Sequence, residues 1–381
     1  MRTLLLQLVL PAVLSASVSA GVVHTADARL EGDVAFADGQ VTVGGQAVAW
    51  DAVLAVVPVA RAPEPVVGGT VRWAGGEVWR AELVALSGGR ATLSFGRFGR
   101  HEADAVRLAA VDFFPADTPG QDAPGTLFRD QGEPIPGTLL WVDQSRLAID
   151  SPLGVLTLSR QGVMRYVFPS PGSVSPAPAA ADEVGLMDGS ILRGTARPVA
   201  GGVQLEHRVL GALRLDAGAV RSVGRLGGRA WDLARLVPQS ATAPGLLGKA
   251  SPERPAIGGT TFPPFRRAGS FRAGMGSAGA LSAMTVQPET ALRYRLDKAG
   301  GRALAFRARV GPVEGARGDV RLRIVAGGKT VAERDVSPGA RAADIAVNLP
   351  GADIEIKVEF GSRIAFPCAV VLEDAFVVAR P

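Results

Sequence analysis

The sequence predicts an all-β protein in which small, tandem β-barrel-type repeats precede a larger β-sandwich. Three observations predict it. Apolar and polar residues alternate over four to six positions in segment after segment, as in Val203-Gln-Leu-Glu-His207 and Ile354-Glu-Ile-Lys-Val358, the pattern of half-buried antiparallel strands. Glycine, at 48 of 381 residues, punctuates these segments at the turns. The first two-thirds of the chain also repeats itself, and a fixed period is the mark of a repeated structural unit.

The chain opens with a leader. Arg2 supplies the positive end, Leu4 to Leu14 is apolar except for Gln7 and Pro11, and Val18-Ser19-Ala20 ends the stretch. This is the layout of a secretory signal peptide over residues 1–20, with cleavage before Gly21. A membrane span needs about 20 apolar residues, and Pro11 and the serines leave this stretch short of that. The mature chain is therefore expected to be exported, whether periplasmic, at the cell surface or secreted, with no membrane span.

Composition bounds the rest. Of 41 basic residues 37 are arginine, scattered rather than clustered, and the net charge is only +5. A GC-rich bacterial coding bias accounts for the arginine, and the scatter is a poor footprint for nucleic acid. Cys368 is the only cysteine, so no disulfide forms within the chain, and the apolar content of 47% must supply the core. Cys368 itself reads as a small buried apolar residue.

The repeat is plainest in two units. Gln131-Gly-Glu-Pro-Ile-Pro-Gly137 and Asp188-Gly-Ser-Ile-Leu-Arg-Gly194 each open a strand after a polar turn and close it on glycine. Each continues through an alternating segment (Arg146 to Asp150; Val203 to His207), a Leu-Gly turn (Leu153-Gly154; Leu210-Gly211) and another strand. Both finish on a valine-bounded strand, Val163 to Val167 and Val220 to Val223, at the same distance from the shared glycine. Weaker copies precede them, one from Arg29 through Val41-Thr-Val43 to Val57, the other from Gly69 through Ala91–Phe95 to Val111. The parsing is two degenerate β-repeats over 21–115, a repeat over 125–169, a Pro/Ala/Ser linker over 170–183 and a repeat over 184–228. Units of this size and strand order resemble SH3-like and Sm-like small barrels. That resemblance implies a scaffold for peptide or protein partners; RNA, which Sm-like barrels bind, does not suit an exported chain.

The last part, 230–381, carries a second resemblance. Its blocks are Trp231-Asp-Leu-Ala-Arg-Leu-Val-Pro238, Ala273-Gly-Met-Gly-Ser277, Leu292-Arg-Tyr-Arg-Leu-Asp297, Ala303 to Gly311, Val320 to Val331, Ile345 to Ala352 and Ile354 to Phe360. In this order they resemble the NPCBM family of carbohydrate-binding modules. The resemblance implies a galactose-binding-like β-sandwich (jelly roll) and a polysaccharide or cell-wall glycan as partner. Where the family has a polar Asp-His-Ala-Asp-Trp-Ala-Asp-Ala block, this chain has Cys368 to Ala375, keeping only Asp374-Ala375. Trp231, Tyr294 and Asp374 are the candidate carbohydrate-binding residues: two amphipathic rings for a sugar's C–H face and the retained acid. The phenylalanines, among them Phe306, Phe360, Phe366 and Phe376, read as core, and Trp231 as opening a short helix-like segment.

Other motifs carry less. Gly274-Met-Gly-Ser-Ala-Gly279, with Asp297 beyond it, spells a dinucleotide fingerprint but lacks the strand and long helix that such a site needs. His24, His101 and His207 lie in different units without metal-ligand spacing, and His24 reads as mobile near the mature N-terminus. Asp182-Glu183 reads as solvated linker. No catalytic residues, cofactor or metal are predicted, and the chain reads as non-enzymatic: a glycan-associated envelope protein or, alternatively, a protein-interaction scaffold with a non-binding sandwich. N-terminal sequencing of the exported product is expected to read Gly21-Val-Val-His24; a product beginning at Met1 refutes the leader.

Overall fold

The computed structural model describes residues 21–58, 68–114 except 97, 123–169, 181–225, 227, 229–236, 238–242, three short strands between 256 and 268, and 280–296 and 304–379. The leader, most of the expected linkers, and the Ala273–Ser277 and Gly274–Gly279 motifs lie outside the described residues. The fold is all-β. Among the described residues no helix is long and apolar enough to cross a membrane.

Four units share one plan. In each, a first strand (Gly21–Thr25, Thr70–Trp73, Thr126–Arg129, Asp182–Leu186) pairs antiparallel with the unit's closing strand (Val53–Val57, Leu108–Asp112, Val163–Val167, Val220–Gly224). Each of these four pairings carries a register shift, the mark of a bulge that coils the unit. Between first and closing strands runs a three-stranded meander, such as Thr138–Val142, Arg146–Ser151 and Gly154–Ser159 in the third unit. The fourth unit begins at Asp182, two residues before the expected 184, so Asp182 and Glu183 are strand rather than linker.

The glycine shared by the repeats has a steric reason. A Cβ on Gly137 would sit 2.4 Å from the Asp150 carbonyl oxygen, and one on Gly194 2.2 Å from that of Glu206. Each marks the place where one strand crosses the next too closely for any side chain.

The units are joined by the strands that close them. The closing strands of the first and fourth units pair antiparallel (Val56↔Val223, Ala55↔Gly224), and so do those of the second and third (Ala110↔Val167, Val111↔Tyr166, Asp112↔Arg165). The meanders of the second and third units meet at Leu86↔Val142, giving a six-stranded sheet. One continuous apolar cluster, including Val23, Trp79, Leu127 and Val223, runs through all four units. A valine-rich run buried on both faces is what such shared strands require.

The last part is a two-sheet sandwich. One sheet orders Phe265–Ala268, Ala283–Val286, Val370–Ala379, Leu304–Pro312 and Ala343–Leu349, with Ala230–Asp232 also on Val370–Ala379. The other orders Ser240–Thr242, Thr290–Arg295, Asp353–Phe360, Val320–Ala326 and Lys329–Val336. The alternating residues Val320, Leu322, Ile324, Ile354, Ile356 and Val358 all point into the core. Trp231 lies on a strand, not a helix.

Sandwich and units are not separate. Val22, Leu54, Ala55 and Val57 of the first unit form a third apolar cluster with Ala230, Leu281, Phe376 and Val378 of the sandwich. Burying such side chains contributes roughly 1.5–3 kcal/mol for each large one, enough to hold the two parts together.

Within the third unit, fully buried Tyr166 ties the meander to the closing strand. The Leu139 N–H donates to its hydroxyl at 3.1 Å, and the hydroxyl donates to the Gly137 carbonyl at 3.1 Å. Tyr166→Phe leaves that amide unpaired inside the protein. It is expected to lower unfolding stability by about 1–3 kcal/mol, read as a lower denaturation midpoint; an unchanged midpoint would show the hydroxyl to be idle.

Candidate functional site

Two places concentrate chemistry. The first is a cleft where the first unit meets the sandwich, lined by His24, Thr25, Arg29, Arg307, Arg309, Asp344, Asp374 and Phe376 among others. Beside it the sandwich strands Leu304–Pro312 and Val370–Ala379 shift register between Arg307 and Arg309. That bulge puts Asp374 in the left-handed region (φ 51°), an uncommon conformation for a residue with a side chain, and turns its carboxylate inward.

There Asp374 accepts from the Leu281 and Ser282 amides at 2.7 and 3.1 Å, and His24 Nε2 lies 3.1 Å from its other oxygen. His24 is not mobile: it sits on the first strand, 6% exposed, with its ring edge-on to Phe376 at 5.4 Å. Arg307 donates to the Thr25 and Ala26 carbonyls, at 3.2 and 3.1 Å. Arg309 pairs with Glu31 at 2.7 Å, and Arg29 pairs with the same carboxylate. Burial, and then the Arg309 charge, lower the pKa of Arg29 from its ordinary value. The cleft's cations are thus engaged with the protein's own acids and carbonyls, and together they seal the junction.

A buried chain of charges continues from it. Asp232 accepts from Ser282 Oγ at 2.9 Å and the Ala234 amide at 3.0 Å, and pairs with Arg235 at 3.0 Å. Arg235 reaches across to Glu183 of the fourth unit, which also takes Arg193 at 3.1 Å. Burial favours the protonated form of Glu183, but Arg235 and Arg193 outweigh it and hold its pKa below the ordinary value. Asp182 is also buried and accepts from the Ala196 amide at 2.9 Å. Neither member of this acidic pair is solvated, because each has a strand neighbour or an arginine in reach.

The second place is exposed. Residues 361–369 loop between strands Asp353–Phe360 and Val370–Ala379 and pack on the segment before Val320. Three backbone bonds fix the loop: Arg317 N–H to the Pro367 carbonyl at 2.8 Å, Asp319 N–H to Arg363 at 2.9 Å and Gly361 N–H to Asp319 at 2.9 Å. Gly318 is required where the two segments touch, since a Cβ there would lie 2.3 Å from the Ala365 carbonyl oxygen.

On this frame Phe366 is 50% and Ile364 63% exposed, so Phe366 is not a core residue. Its ring is propped edge-on by Phe360 at 5.9 Å. Beside it, Ser362 Oγ donates to Asp319 at 2.9 Å and Arg363 pairs with the same carboxylate at 3.5 Å. The Ser362 hydrogen bond chiefly, with help from Ser337 and Arg363, keeps the Asp319 pKa below its ordinary value. Loops held this rigidly by a scaffold are where binding groups concentrate.

The three residues singled out from the sequence do not converge on one surface. Tyr294 is 3% exposed and belongs to the sandwich core. Asp374 is 3% exposed and holds the junction. Trp231 is half-buried, paired opposite Val377. Phe366 escaped notice because a lone phenylalanine in an apolar stretch looks like core, and only the loop's course turns it outward. Among the described residues no group of three His, Cys, Asp or Glu side chains could hold a metal ion.

No family model matches the chain, and no curated protein does. Among solved structures, it is similar to CBM51 from Clostridium perfringens GH95, a carbohydrate-binding module solved in complex with methyl-galactose. The identity is 11% over 39% of this chain and 99% of that one, with a TM-score of 0.27. The tandem CBM51 modules of Sp3GH98, the family 98 glycoside hydrolase from Streptococcus pneumoniae SP3-BS71, match at 14% identity over 60% of this chain and 64% of that one, TM-score 0.28. The CBM51-2 and INT domains of Clostridium perfringens ZmpB match at 10% identity over 49% of this chain and 39% of that one, TM-score 0.27. At such scores the site has to be read from this chain's own residues.

The pH response of the junction follows from Asp232. Burial first, and the nearby Asp374 charge, push its pKa from 3.8 up to about 6 against the pull of Arg235 and Ser282. Between those values the folded chain holds a proton that the unfolded chain has released, so this group's contribution to stability falls as pH rises from about 4 to 6. Asp232→Asn cannot ionise. Its stability relative to the wild type is expected to rise across that window, on the order of 2–3 kcal/mol, in paired thermal melts; a constant difference would show Asp232 to titrate normally.

Proposed function

We propose that the protein is an exported, non-catalytic glycan-binding protein and that sugar is met at the 361–369 loop of the sandwich. The observation that carries this reading is Phe366. Among the described residues of the sandwich it is the aromatic ring left exposed, and it stands beside Arg363, Asp319 and Ser362. A pyranose ring presents an apolar C–H face and a rim of hydroxyls. An exposed ring, braced from behind by Phe360, takes the face, and a guanidinium, a carboxylate and a hydroxyl alongside serve the rim.

The order of sequence blocks that resembles the NPCBM modules supports the same class of ligand. The expected export through the leader would place the loop among envelope polysaccharides. A second reading, association with protein, is favoured by a different observation, the exposed uncharged strand Gly154–Ser159 of the third unit.

The test is binding of the chain from Gly21 onward to a panel of polysaccharides, peptidoglycan included, with and without calcium. Saturable binding is expected to weaken about tenfold or more in Phe366→Ala, equivalent to at least ~1.4 kcal/mol, with an unchanged melting temperature. A folded wild type that binds nothing, or a Phe366→Ala that binds like it, would overturn the reading.

A further inference from the structure

The four units leave equivalent strands at sheet edges, and those edges differ in one respect. The last meander strand of the second unit is Gly99-Arg-His-Glu-Ala-Asp104, that of the fourth Gly211-Ala-Leu-Arg-Leu-Asp216, and that of the first only four residues, Gln46–Ala49. Charges on an edge strand, or brevity, are the usual guards against pairing with another chain. The third unit has neither guard. From Ser151 to Ser159 it runs Ser-Pro-Leu-Gly-Val-Leu-Thr-Leu-Ser without a charge. Strand Gly154–Ser159 is the last of the six-stranded sheet and pairs only with Arg146–Ser151 among the described residues. Leu153 is 90% and Val155 62% exposed.

We propose that this edge pairs antiparallel with the same edge of a second copy of the chain, forming a two-fold dimer. Two observations select a second copy as the occupant. The chain already associates this way internally, because equivalent closing strands of different units pair antiparallel with each other. The sheet to be extended is likewise formed across a unit boundary, at Leu86↔Val142, so a further edge-to-edge addition continues an interface that exists. The strand also suits itself chemically. With the two-fold axis at Leu156, Val155 of one copy lies opposite Thr157 of the other, a β-branched pair with no charge to leave unpaired. Isologous pairing of this kind closes on itself and stops at two copies.

Sedimentation velocity across a concentration series of the chain from Gly21 onward is expected to show a monomer–dimer equilibrium. Val155→Lys with Thr157→Lys places like charges opposite one another on outward-facing positions and is expected to yield monomer at every concentration, with the melting temperature retained. Thr157→Lys alone, the milder variant, is expected to weaken the dimer about tenfold or more, while Val155→Thr with Thr157→Val leaves it intact. A wild type that stays monomeric throughout, or lysine variants that dimerise like it, would overturn the proposal.

Discussion

The sandwich and its junction with the first unit both lean on one strand, Val370–Ala379, which is buried along its whole length. One face of it, with Val370, Leu372 and Val377, belongs to the sandwich core. The other, with Phe376 and Val378, meets Val22, Leu54 and Val57 of the first unit. Three further sandwich strands pair with it directly. A strand so placed has no face left for water, so nearly every side chain on it must be apolar or fully paired. That constraint gives a physical reason for the apolar run Val370-Val-Leu372 with which the strand begins. The two acids on the strand are the exceptions that fit the rule: Asp374 has two amides and His24, and Glu373 stands 4.0 Å from Arg309.

Much of the fold was legible in the sequence, because alternation and glycine spacing are local signals. The equivalence of Gly137 and Gly194 could be read from their identical distance to Val163 and Val220, and the structure supplies its cause in the carbonyl oxygens of Asp150 and Glu206. The alternating residues of Val320–Ala326 and Asp353–Phe360 announced their own inner face. What could not be read was pairing between distant segments. Val53–Val57 and Val220–Gly224 look like ordinary buried strands, and nothing local says that they bond to each other.

The site was less legible, for the same reason. A histidine that is the fourth residue past an expected cleavage point looks loose until the strand carrying Asp374 is laid against it. Asp182-Glu183 looks like linker until Ala196, Arg193 and Arg235 arrive to satisfy it. Tyr294 and Phe366 exchange roles between sequence and structure: the ring chosen for its polar tip is core, and the plain phenyl is outside. Burial of an aromatic side chain is decided by the path of its backbone, and composition carries no record of that path.

The order of these parts along the chain has a consequence for how the molecule is made. Val370–Ala379 follows in sequence every strand that it pairs with and every apolar group that it covers. During synthesis the first unit's face, with Val22, Leu54 and Val57, emerges long before its cover. It must wait exposed, or be shielded by a chaperone, while the remaining units and most of the sandwich are translated. The contacts that finish the structure are therefore its most distant in sequence, which slows folding. A ribosome that stalls before this strand releases a chain whose first unit lacks Phe376 and Val378 over its apolar face and Asp374 beside His24.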